Sequence, residues 1–175
     1  MASEEGSAKP LPTGRLDLAV QYTTERRGVP HRRSVERWLR AALEQPASIT
    51  VRFAGRAEVT ALNGTFRGQH KATNVLSFAY TGVQLRKVAK RSHAAPAKAA
   101  AGRSEILRGD IVLCPQVVRR EAIAQRKSPT AHYAHMIVHG ALHLQGYDHR
   151  TAAEANVMED RERAILASLG YPDPY

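Results

Sequence analysis

The chain has 175 residues, enough for one domain with a sizeable buried core. Hydrophobic content of 43% and charged content of 24% are ordinary for a globular domain, and no apolar run approaches the roughly 18 residues of a membrane span. Lys and Arg number 26 against 16 Asp and Glu; the resulting +10 favours an anionic partner such as nucleic acid, and the single cysteine, Cys114, excludes an internal disulfide and fits a reducing cytoplasm.

Residues 1–14 are polar, carry Glu4 and Glu5 and lack a hydrophobic core, so they read as a disordered lead rather than a secretory signal. Leu16 to Tyr22 alternates apolar and polar residues, the pattern of a strand. Val35, Trp38, Leu39 and Leu43 recur at helical spacing over His31–Leu43, with Pro46 just beyond. A second strand is expected over Ile49–Phe53, a helix over Ala57–Phe66, and a third strand over Asn74–Phe78.

Between Leu85 and Arg108 lie seven basic residues and one acid, Glu105, together with an alanine-rich run around Pro96. This composition predicts a flexible basic insertion over 85–108, either a phosphate-binding arm or a merely solvated loop. Gly109–Leu113 reads as a fourth strand stopped by Pro115, with Cys114 at its end as a small core residue. Helices follow over Val117–Gln125, Thr130–Leu144 and Ala152–Leu169, the last closed by Gly170. The order predicts one α+β domain over 15–175: a small mixed sheet of about four strands, about five flanking helices, and a metal site at the end of a central helix.

The chemistry concentrates in His139–His149. His139 and His143 stand four apart, so a helix places both imidazoles on one face, a turn apart. No third ligand can come from the next turn of a straight helix. Gly146 can end the helix in a left-handed conformation and let Tyr147 and Asp148 carry the chain round to His149. Three neutral histidines leave a fourth position open, the arrangement of catalytic rather than closed structural zinc. The spacing equals that of the metzincin proteases, HExxHxxGxxH, but the position after the first histidine is Gly140 where a peptidase needs its glutamate base. Asp148 either orients a histidine through its second nitrogen or caps the turn. His132 and His135 project from the same helix and either line the site or pack beside it.

Read as HGxLHLxGYDH, the segment His139–His149 resembles the signature of the YbeY family of bacterial endoribonucleases. Leu62–Gly68, Thr73–Phe78, Gly109–Cys114 and the ending Leu169–Tyr175 agree with it; the chain departs from the family over about 85–105. The resemblance implies a zinc-dependent, single-strand-specific endoribonuclease acting in 16S rRNA 3′-end maturation and 70S ribosome quality control. It implies one zinc ion at His139, His143 and His149 and a functional arginine at Arg67, where a guanidinium can bind a phosphate oxygen and stabilise charge developing on phosphorus. A ribosome-associated RNA-binding protein with a structural metal, and a metallohydrolase of a non-nucleic substrate, are the alternatives.

Overall fold

Buried and half-buried residues alternate without a break along Ala47–Phe53, so one face of this strand is committed to a core. In the computed structural model, which describes residues 14–80 and 106–175, it is β2 of a four-stranded mixed sheet. Its companions are β1 (Leu16–Tyr22), β3 (Val75–Ala79) and β4 (Leu107–Leu113), in the order β1-β2-β4-β3. β1 and β4 run parallel to β2; β3 is antiparallel to β4 at the sheet edge. Five helices accompany the sheet: α1 (Arg32–Ala42), α2 (Arg56–Arg67), α3 (Pro115–Ala124), α4 (Pro129–Leu144) and α5 (Ala152–Ser168).

Strand periodicity divides the core. Ile49, Val51, Phe53, Ile111 and Leu113 join the main cluster with α1, α4 and α5, while Leu76, Val112 and Cys114 pack with Val59 of α2 and Val117 of α3 in a smaller one. Helix α4 is buried almost all round, from His132 to Leu144, as expected of a helix enclosed by a sheet and other helices. Two glycines bring it down onto β4. A Cβ on Gly140 would meet Ile111 Cγ2 at 3.0 Å, and one on Gly109 would meet Leu144 Cδ2 at 2.7 Å.

The expected α+β domain, its mixed sheet and its five helices are what the structure has, with shifted bounds. Strand β2 begins at Ala47, two residues before the alternation suggested, because Ala47 donates to Arg15 O. Pro115 stops β4 but is also the first residue of α3, where its missing N–H costs nothing. Residues 85–105 of the basic insertion, and 1–13 of the N-terminal lead, lie outside the described residues. The insertion is shorter at its end than expected: Leu107 and Arg108 belong to β4, with Leu107 N donating to Pro46 O and Arg108 O accepting from Tyr80 N. Among the described residues no helix is long and apolar enough to cross a membrane.

Candidate metal centre

The site is built on the last turn of α4 and the turn after it. Helix α4 starts with Ser128 accepting from Ala131 N and ends at Leu144. Gly146 takes φ +94, Gly146 N donates to His143 O and Tyr147 N to Leu142 O. These paired bonds form a Schellman closure that needs a left-handed residue at Gly146. The turn is anchored to the end of α1: Gln145 Nε2 donates to Ala42 O at 2.9 Å, Glu44 N donates to Gln145 Oε1 at 2.8 Å, and Tyr147 OH donates to Glu44 Oε1 at 3.2 Å.

This turn swings His149 back over the helix. Nitrogens of His139, His143 and His149 lie within 4.8 Å of one another, and the His139 and His143 Nε2 atoms are 3.1 Å apart. His143 Nδ1 lies 2.9 Å from Tyr147 O, which can only accept, so Nδ1 carries the proton and Nε2 presents a lone pair. His139 Nδ1 lies 2.8 Å from a Glu162 carboxylate oxygen and donates likewise. Two Nε2 lone pairs therefore face each other at 3.1 Å, a repulsive arrangement that a cation between them relieves. Burial, helped by the neighbouring His139 and His149, pushes His143 down to about 4, so its ring is a neutral ligand at ordinary pH. The donor set fits a borderline metal ion such as zinc.

An open cleft of about 730 Å³ surrounds these nitrogens. Arg67, exposed in the last turn of α2, lines it, as do Asn74, Ser77 and Arg150. Gly68 at φ +67 ends α2 just behind Arg67.

The remaining expected residues fall as follows. Asp148 is turned to the backbone: its Oδ1 accepts from His149 N at 2.8 Å and its Oδ2 pairs with Arg150 Nε at 2.8 Å. Of the two roles the sequence left open, these bonds are those of the turn cap, and among the described residues Asp148 makes no hydrogen bond to a ligand ring. His135 is buried beside the cluster, with Nε2 3.1 Å from Glu162 Oε2. His132 is likewise buried and pairs with Glu121, which also accepts from Asn74 Nδ2 at 3.1 Å. Gly140 faces Ile111 of β4, so a side chain there points into the sheet and not at the imidazoles. Even a Cβ at that position stands 3.0 Å from Ile111 Cγ2, tighter than ordinary contact.

Glu162 was missed. It sits on α5 in line with Met158, Ile165 and Leu166, the buried stripe that meets α4, and is 0% exposed. A charged residue within an apolar helical stripe was the signal that could have found it. Burial alone pushes this carboxylate up, but hydrogen bonds from His135, His139 and Tyr175 reverse that and hold it at about 2.

Fold and site together define a small α+β domain with a three-histidine group able to hold a metal ion. The family model described as "Endoribonuclease YbeY" matches residues 20–170. Proteins of that name are similar over most of the chain. One from Nitrosomonas europaea is 44% identical over 160 residues, 91% of this chain and 85% of the relative. One from Cupriavidus necator is 46% identical over 163 residues, 91% and 73% respectively. One from Burkholderia lata is 43% identical over 178 residues, 98% and 92%. A solution structure of a Thermotoga maritima protein, 18% identical, covers 90% of this chain and 97% of its own with a TM-score of 0.46. The chain belongs to the YbeY family.

Proposed function

We propose that this chain is a zinc-dependent endoribonuclease that cleaves single-stranded RNA, working in the cytoplasm in 16S rRNA 3′-end maturation and late-stage 70S ribosome quality control. One observation carries the catalytic part: the cleft that gathers three imidazoles with facing lone pairs also holds an exposed arginine, Arg67. The relatives' name, endoribonuclease, supports the reaction class. The ribosomal role rests on the HGxLHLxGYDH resemblance.

His139, His143 and His149 would hold the ion. Zinc in such a setting supplies Lewis acidity toward a phosphoryl oxygen and toward water. The protein's own residues account for the rest. Arg67 binds a non-bridging phosphate oxygen and opposes the charge that develops there. Arg150, drawn toward the turn by Asp148, adds a second cation at the cleft. An anionic backbone thus meets arginines around the ligands. Gly140, packed on β4, keeps a carboxylate base out, which opposes peptide hydrolysis.

The test is to incubate purified protein with single-stranded RNA and with casein, with and without a chelator. Chelator-sensitive cleavage of RNA and no cleavage of casein are expected. Stable RNA with cleaved casein overturns the reading. Binding of RNA without cleavage assigns the metal a structural role instead.

A further inference from the structure

We infer that Glu162, held by Tyr175 and His135, is the positioning residue that fixes the ring of His139 for metal binding. The inference rests on the proposed zinc site and extends it to a second helix and to the segment after it.

The carboxylate is enclosed completely, yet both of its oxygens accept hydrogen bonds. Oε1 accepts from His139 Nδ1 at 2.8 Å, and Oε2 accepts from His135 Nε2 at 3.1 Å and from Tyr175 OH. The direction of each bond is set by its partner. A carboxylate can only accept, so His139, His135 and Tyr175 all donate. His135 Nδ1 has no hydrogen-bond partner and is buried; a proton there would be an orphaned donor, so Nδ1 bears the lone pair and Nε2 the proton.

A buried carboxylate on an apolar helix face is costly unless its hydrogen bonds are complete. Leucine or methionine at position 162 would pack α5 against α4 without that cost. What the charge adds is an acceptor that forces the proton of His139 onto Nδ1 and leaves Nε2 bare toward His143. A carboxylate behind a metal-binding histidine commonly holds the ring in one tautomer and orientation. Tyr175 does the same one layer further out. Its ring lies edge-on to His135 at 5.5 Å between centroids, and the Arg163 guanidinium sits 4.8 Å over it. His139 thus gains a rigid rear support that does not touch the substrate side of the cleft.

The same atoms suit a second reading, a metal ion among His135, His139 and Glu162. The two histidine nitrogens that face the carboxylate, His139 Nδ1 and His135 Nε2, carry protons toward it and Tyr175 OH donates as well, which favours the hydrogen-bonded network.

The test compares wild type, Glu162→Gln, Glu162→Asp and Tyr175→Phe. For each, zinc affinity is measured by chelator competition at a temperature where the metal-free protein is folded, and the unfolding midpoint is recorded without metal. The visible spectrum of the cobalt-loaded proteins reports ligand geometry. Glu162→Gln is expected to weaken zinc binding about 10–100-fold and to change the cobalt spectrum. Glu162→Asp should recover part of the affinity, and Tyr175→Phe should lose less, in the same direction. If Glu162→Gln does not fold, Tyr175→Phe carries the test. Equal zinc affinity in a folded Glu162→Gln and in wild type overturns the inference, whatever happens to stability. Wild type that binds no zinc overturns the zinc site itself, a distinct failure. Two equivalents bound by wild type, with one lost in Glu162→Gln, replaces the support role by a second metal site.

Discussion

Gly109→Ala probes how the site is held against the sheet. A Cβ at 109 would stand 2.6 Å from Phe78 O and 2.7 Å from Leu144 Cδ2, well inside the 3.4 Å at which ordinary contact begins. Leu144 can rotate away, but Phe78 O is part of the backbone of β3, whose Ala79 pairs with Gly109 and Phe78 with Asp110. Relief therefore requires the edge of the sheet to open. Overpacking of this kind costs about 1–3 kcal/mol. Replacing a glycine with alanine returns only about 0.4–1 kcal/mol through the unfolded chain. The net expectation is a loss of about 1–2 kcal/mol, which for a chain of this size lowers Tm by about 2–8 °C. Leu144 follows His143 directly, so zinc affinity should fall as well. Thermal unfolding of the metal-free protein and a chelator titration measure both. A Gly109→Ala protein as stable as the parent, with equal zinc affinity, would refute the close-approach argument.

His143→Ala should lose zinc and, with it, the chelator-sensitive part of the stability, which is about 2.7 kcal/mol when free zinc is about 100 times its Kd; full zinc content by elemental analysis contradicts the ligand assignment. Gly140→Glu should create no peptidase, because the new carboxylate enters the sheet beside Ile111, and should instead destabilise the fold by about 3–5 kcal/mol as an unpaired buried charge; zinc-dependent cleavage of a peptide library by this variant would reverse the reading. Arg67→Ala should slow single-turnover RNA cleavage about 10²–10³-fold with normal metal content, and an unchanged rate constant removes Arg67 from catalysis. Deleting residues 85–105 should flatten the log–log salt dependence of RNA binding by about 0.7 for each phosphate that the insertion neutralises and raise the apparent KM while leaving the saturated rate unaltered; identical slopes before and after deletion mean the insertion touches no phosphate.

Local patterns carried the sequence a long way. Period-two alternation placed β1 and most of β2, helical spacing placed α1, α4 and α5, and the i, i+4, i+10 histidines with Gly146 between them anticipated which imidazoles meet, because a helix turn followed by a left-handed glycine is local geometry. Family resemblance pointed to Arg67, which periodicity alone leaves as a surface residue. Three things required the folded chain. Glu162 meets His139 only because α5 packs its Met158–Leu166 stripe on α4, a pairing of residues 23 apart in the chain that no spacing rule encodes. Asp148 could orient a ring or cap the turn on sequence grounds, and its bonds to His149 N and the Arg150 guanidinium are set only once the turn after α4 is folded. Gly109 and Gly140 read as a strand residue and a missing base; that they are the contact points of α4 with β4 is a property of two elements brought together, and only close packing reveals the space that a Cβ would need.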